Sequence, residues 1–479
     1  MSEPEGGAQD PAPTAPRPRF SILVTVICSI VAATYVGLPL GPLLRDTSPI
    51  DQLERPDDSL QRLVTRELDL DEALRRGALW EWRLYRALSG GEDPIREAAS
   101  WYDELADSVD SDAVELRRAI LLAESGDTRH VADIVAGWEE RGGSGRRMAD
   151  WLSAAYLGDP PAAETGRALI AEIRDAIEPD WFADTLAWRI AARIGDGRAR
   201  LRAESAIVTR GRALRHRQRL LWALVTALLA AGALALGRLL IRRSPTRIAD
   251  APLPPEWSTG EGCALFVRAL GAPQAIVLVV FYFFRREAPV DSVLMMAADL
   301  PVFWWVASYL RARDRSLPGA FGLIPRREGW SRLLGVTLIL IALAIVGDAS
   351  IDTAGALLGL RAHWADGFSE DLLWYPRWAF VVTVLDATVW APIIEELTFR
   401  GLLYATLRTR LGAGPAALLS ATLFALPHGY AAAGSLSVLV SGLLWAVAYE
   451  RTRSLLPGLL AHSANNIMST LWVVALLRS

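Results

Sequence analysis

The chain has 479 residues, 52% of them hydrophobic and 22% charged, which is long enough for more than one domain and too apolar for a disordered one. A mean hydropathy of +0.23 and 18 tryptophans point to a membrane. All 50 basic residues are arginine, which excludes a Walker-type phosphate loop, a Ser-Lys dyad and a Schiff-base enzyme. Cys28 and Cys263 are too few for a Cys-rich zinc site or a disulfide framework, and a net charge of -4 gives no argument for a nucleic-acid partner.

Residues 1–19 are rich in Pro, Ala and Gly and read as a disordered tail ahead of an apolar run over 20–40. That run is longer than a signal-peptide core and lacks a small-x-small cleavage site, so it is expected to stay as a transmembrane anchor. Residues 45–197 carry 33 Asp plus Glu against 19 Arg, with apolar residues at three- and four-residue spacing. A soluble α-helical domain over 45–215 follows, with helices expected at Asp71–Leu88, Asp93–Val109, Asp112–Glu124 and Val131–Arg141. Paired helices of that length resemble tetratricopeptide-like hairpins and suit a protein partner. From Arg198 to Arg219 the chain turns strongly basic, a collar that would contact lipid headgroups.

Beyond the collar the spans expected are Leu220–Ile241, Ala264–Phe284, Ser292–Leu310, Leu333–Gly347, Trp378–Ile394, Pro415–Pro427, Leu436–Tyr449 and Leu455–Leu477, the last interrupted at Pro457. Several are short for ~30 Å of hydrocarbon, as helices lining an internal site can be. The fold class is therefore all-α: a polytopic transmembrane helical bundle of about eight or nine spans with an inserted soluble helical domain. The arginine-rich loop 311–332 should be cytoplasmic. Counting spans from it places the 45–215 domain and the acidic loop 348–371 outside, and the Glu395 end of its span near the cytoplasm. The collar conflicts with that orientation.

Three segments place ionisable groups inside apolar runs, where such groups are costly and usually functional. In VWAPIIEELTFRG, residues 389–401, Glu396 and Arg400 stand at i and i+4 in the order that favours an ion pair. Glu395 points about 100° away, which leaves it free to act as a general base. Pro392 removes one donor from the helix ladder and frees a carbonyl near the site. In LFALPHG, residues 423–429, Phe424 and His428 share a face, so the ring can pack on the imidazole; a helix-capping histidine is the plainer reading. In LLAHSANN, residues 459–466, His462 and Asn466 are i and i+4 and could aim two donors at one oxyanion, while Asn465 is turned towards another helix. Asp386, in the span before Glu395, could orient a partner or gate a cavity. His363 with Asp366, and His130 and His216, read as solvated groups.

Taken in order, Glu395-Glu396-x-x-x-Arg400, Phe424-x-x-x-His428 and His462-x-x-x-Asn466 resemble the three motifs of the CAAX protease and bacteriocin-processing family of membrane proteases. The resemblance covers about residues 264–479, with a separate span over 220–241 before it, and leaves 1–250 unassigned. It implies an intramembrane endopeptidase whose cavity opens to the cytoplasmic side. Glu395 and His428 would activate water, His462 and Asn466 would stabilise the oxyanion, and Glu396 and Arg400 would support the site. No cofactor is favoured. Zinc held by Glu395, His428 and His462 is the alternative, although H-E-x-x-H is absent and neither histidine has an evident second carboxylate partner. The substrate would be a peptide or protein within the membrane. A chain without lysine suggests a GC-rich bacterium and its inner membrane, where an anchored or exported peptide is a better substrate than a prenylated one. A transporter or a non-catalytic scaffold would use the same residues otherwise; the transporter should show internal repeat symmetry, which is not detected.

Overall fold

The computed structural model describes residues 20–38, 49–88, 93–141, 143–243, 245–284, 291–358, 363–365 and 368–478. The expected tail over 1–19 and Asp366 lie outside them. Every regular element among the described residues is helical. Among the described residues seven helices are long and apolar enough to cross a membrane, and Ile22–Gly37 is a shorter apolar one. The protein is therefore an all-helical polytopic membrane protein with an additional non-membrane helical region.

Helix α1, Ile22–Gly37, is followed by eight helices of the acidic region: α2 Pro56–Arg75, α3 Leu79–Leu88, α4 Pro94–Ser108, α5 Asp112–Ser125, α6 Thr128–Arg141, α7 Ser144–Tyr156, α8 Ala163–Ala176 and α9 Trp181–Arg193. Their starts follow capping chemistry. Pro56 and Pro94 occupy first turns, and the Asp93 and Asp180 carboxylates accept the Ile95 and Ala183 amides at 3.0 and 2.8 Å, each such cap worth about 1 kcal/mol. The helix expected at Asp71–Leu88 is two helices parted around Gly77, the first beginning at Pro56. α4 packs on α5 and α6 on α7, around a core that includes Tyr102, Trp138, Leu152 and Phe182.

Helix α10, Gly197–Arg242, runs without interruption from this domain into the membrane, about 69 Å in all. Its basic half makes several contacts within the protein. Arg210 bonds Asp69 and Asp184 at 2.7 and 2.6 Å, Arg215 and Arg219 both clasp Glu81, and Arg217 donates to the Ala475 carbonyl. Arg210, Arg215 and Arg219 are thus answered by the domain's own acids.

The remaining helices are α11 Thr259–Phe284, α12 Asp291–Ala298, α13 Leu300–Arg311, α14 Gly329–Leu358, α15 Arg377–Leu407, α16 Ala413–Ala425, α17 Ala432–Thr452 and α18 Leu456–Val473, which continues as one wider turn to Arg478. The span expected at 292–310 is broken at Asp299, ahead of Pro301. Pro457 starts α18 and does not interrupt it. Helix ends sort into two sets. Segments 246–258, 311–328 and 450–455 meet through backbone bonds such as Ile248 to Thr452 and Leu455 to Phe321. At the other end Trp364 and Ala365 join the core of the acidic domain, Leu476 packs on Leu70, Leu74 and Leu214, and Arg478 donates to the Leu372 and Tyr375 carbonyls. The acidic loop and the helical domain thus share one end, as the span count requires.

Candidate active site within the membrane

The first motif lies on α15, whose register is not uniform. It is α-helical over Arg377–Leu385, widens to i→i+5 bonding over Asp386–Trp390, tightens over Ala391–Glu395 and widens again over Glu396–Tyr404. Such bulges are rare and concentrate at functional sites. Pro392 accounts for a consequence of the first one. With the Ala391 amide bonded to the Asp386 carbonyl five residues back, the next bond in that register would run from residue 392 to Ala387, and proline has no N–H to give. The stranded Ala387 carbonyl accepts instead from Asn466 Nδ2 of α18 at 2.8 Å.

The second widened segment buries the Glu396–Arg400 pair. Arg400 Nη1 lies 3.0 Å from Glu396 Oε1, with the side chains 0% and 2% exposed, and the guanidinium sits 4.1 Å over the Phe424 ring. Two glycines make room: a Cβ on Gly442 would come 3.1 Å from Arg400 Nη2, and one on Gly458 would come 3.2 Å from Glu396 Oε2. Glu396 also accepts from His462 Nδ1 at 3.1 Å, so this histidine has the carboxylate partner that sequence did not reveal. Because a carboxylate only accepts, Nδ1 carries the proton, and Nε2 faces Glu395 Oε2 at 3.5 Å. His462 therefore stands between the two glutamates, stacked on Trp445 and edge-on to Phe424.

Glu395, 30% exposed, turns away from Arg400 and borders a cavity of about 130 Å³. His428 borders the same cavity. Its Nδ1 donates to the Phe424 carbonyl at 2.9 Å, which caps the end of α16 and leaves Nε2 as the acceptor, while Phe424 packs edge-on at 5.0 Å. Asp386, Asp299, Gln274, Thr398 and Tyr35 complete the polar wall. The cavity lies well up the helices: Tyr35 is 13 residues, or about 20 Å along α1, from Ile22, just after the Phe20 that stacks on Tyr309 at the arginine-rich end. That sets it apart from the arginine-rich end, where the cytoplasmic opening implied by the resemblance would be.

Glu395 and His428 thus meet at one cavity, and His462 stands behind Glu395. The expected pairing of His462 with Asn466 differs: Asn466 spends its amide on α15, and neither residue borders the cavity. His363 bonds Glu104 at 2.8 Å, and His130 bonds the exposed Asp127 at 2.6 Å. Asp299, Tyr35, Gln274 and Thr398 at the cavity, and Arg268 beyond it, escape sequence reasoning. Asp299, which accepts from Trp390 Nε1 at 2.9 Å, carried the same signal as Asp386, an acid inside an apolar run. Arg268 carried that signal too: fully buried in α11, it donates to the Ser21 carbonyl and Thr25 hydroxyl and so fastens α1 to the bundle. Tyr35 carried none.

Zinc requires three donors aimed at one point. Among the described residues no group of three or more His, Cys, Asp or Glu side chains is placed to hold a metal ion, and His462 does not border the cavity that Glu395 and His428 share. The trio Glu395, His428 and His462 does not fit zinc as it stands.

A family model described as type II CAAX prenyl endopeptidase Rce1-like matches residues 377–468, the stretch from the start of α15 through the His462 motif. A CAAX-protease-type domain is therefore present in that part of the chain, in keeping with membrane peptidase activity in general terms. No curated protein and no solved structure matches the chain.

Proposed function

We propose that the protein is an intramembrane endopeptidase that hydrolyses a peptide bond of a membrane-associated substrate with an activated water. The observation that carries this reading is the meeting of Glu395 and His428 at one cavity enclosed by membrane helices, with His462 behind Glu395. A water held by His428 Nε2 gives a proton to Glu395 as its oxygen attacks the scissile carbonyl carbon. The carbonyl electron pair moves to oxygen, then returns as the C–N bond breaks, and Glu395 passes the proton to the departing amine. Glu396 and Arg400 hold His462 in one tautomer and one orientation, and Asn466 acts as a positioning residue by tying α18 to the bulge at Ala387.

Residues 20–40 serve as a retained anchor in this reading, 45–215 as the docking or sensing domain for a protein partner, and 264–479 as the protease domain. The positive-inside rule puts the arginine-rich end in the cytoplasm of a bacterial inner membrane and the helical domain outside. An anchored or exported peptide fits that arrangement better than a prenylated CAAX protein. The test is cleavage in proteoliposomes: Glu395→Ala and His428→Ala abolish the product while the variants remain folded. Cleavage unchanged in both favours the transporter or scaffold alternatives.

A further inference from the structure

A protease of this kind needs a hydrogen-bond donor where charge develops on the carbonyl oxygen, and the two donors suggested by sequence are committed elsewhere. His462 faces Glu396 and Glu395, and Asn466 bonds the Ala387 carbonyl. Of the donors that line the cavity, Tyr35, Gln274 and Thr398, the fully buried one is Thr398. Thr398 is 2% exposed, its hydroxyl has no hydrogen-bond partner, and it lines the cavity together with Glu395 and His428.

Threonine hydroxyls on helices can donate to the carbonyl one turn back, as Thr25, Thr34, Thr226, Thr353, Thr388, Thr422 and Thr452 do here. Thr398 does not, and it sits where α15 widens at Glu396–Tyr404. Thr65 and Thr337 also lack partners, but neither borders the cavity. Leaving a buried hydroxyl unpaired costs stability, and at a cavity a ligand can complete the bond. Thr398 and Glu395 are three residues apart and line the same cavity, so a carbonyl whose carbon is attacked beside Glu395 can present its oxygen to this hydroxyl.

We infer that Thr398 contacts the substrate and donates the hydrogen bond that stabilises the oxyanion during peptide hydrolysis. The inference rests on the peptidase reading of the same cavity. Its test compares wild type, Glu395→Gln, Thr398→Val and Thr398→Ser in proteoliposomes, with a quenched-fluorescent peptide on a single transmembrane anchor and a farnesylated quenched-fluorescent peptide as probes. Valine keeps the shape and removes only the donor. Expected is a fall in kcat of about 100-fold for Thr398→Val at unchanged KM, as for other single oxyanion donors, with most activity restored in Thr398→Ser. The melting temperature of Thr398→Val should hold or rise, because an unpaired buried hydroxyl becomes a methyl. Three results overturn the inference with the peptidase reading intact: kcat within about twofold of wild type, a loss confined to KM, or a melting temperature that falls in step with activity. Cleavage of neither probe by wild type, or full cleavage by Glu395→Gln, overturns the peptidase reading itself.

Discussion

The buried Glu396–Arg400 pair makes the sharpest energetic prediction. Arg400→Met leaves a carboxylate 2% exposed whose Oε2 already lacks a partner, supported only by His462. Glu396→Gln leaves a fully buried guanidinium with only the Phe424 ring beneath it. Removing one member of such a pair costs about 3–5 kcal/mol, because the other charge stays desolvated. Removing both does away with that desolvation, so the double variant should cost about 2–3 kcal/mol less than the sum of the singles. Thermal unfolding in nanodiscs, followed by thiol-dye labelling of the buried Cys28 with the exposed Cys263 blocked first, measures all four proteins. Additivity within about 0.5 kcal/mol would refute the reasoning.

Glu81 is held down to about 2 by hydrogen bonds from Arg215 and Arg219, against an ordinary value of 4.5. A depressed carboxylate contributes stability above its unfolded value and loses it as pH falls towards its folded one. Wild type should therefore melt above Glu81→Gln at neutral pH, and the two should converge between pH 4.5 and 2; a gap constant with pH contradicts this. Asn466→Ala strands the Ala387 carbonyl, so its melting temperature should fall by the equivalent of about 1–3 kcal/mol. Unchanged melting with lost kcat would restore the oxyanion role that sequence suggests. Because the three candidate ligands do not fit zinc, dialysis against a chelator should leave cleavage within about twofold; loss that added zinc reverses would contradict it.

Much of the fold was legible in sequence because hydropathy and helix periodicity record burial directly. The spans over 264–284 and 436–449, and the pairing of Glu396 with Arg400, needed only that information. The ion pairs of the collar were not legible because charge alone does not say what answers it: Glu81 and Asp69 lie more than 130 residues from their arginines. The bond from Asn466 to the Ala387 carbonyl was not legible for a related reason. Side-chain spacing on α18 put Asn466 beside His462, but its partner depends on the widened turn at Pro392, and single-sequence patterns carry no signal for that register. Thr398 and Tyr35 were missed because a hydroxyl in an apolar run looks the same whether it back-bonds or faces a cavity.

The most direct test of the account sets Glu395→Gln beside Glu396→Gln in the same proteoliposome cleavage assay, with each variant's melting temperature measured in parallel. Glu395 borders the cavity, and Glu396 is packed against Arg400 and His462. Glu395→Gln should therefore lose cleavage by about 1,000-fold or more at an unchanged melting temperature. Glu396→Gln should lose stability and activity together. Cleavage by Glu395→Gln within about tenfold of wild type would contradict the assignment of Glu395 as the base.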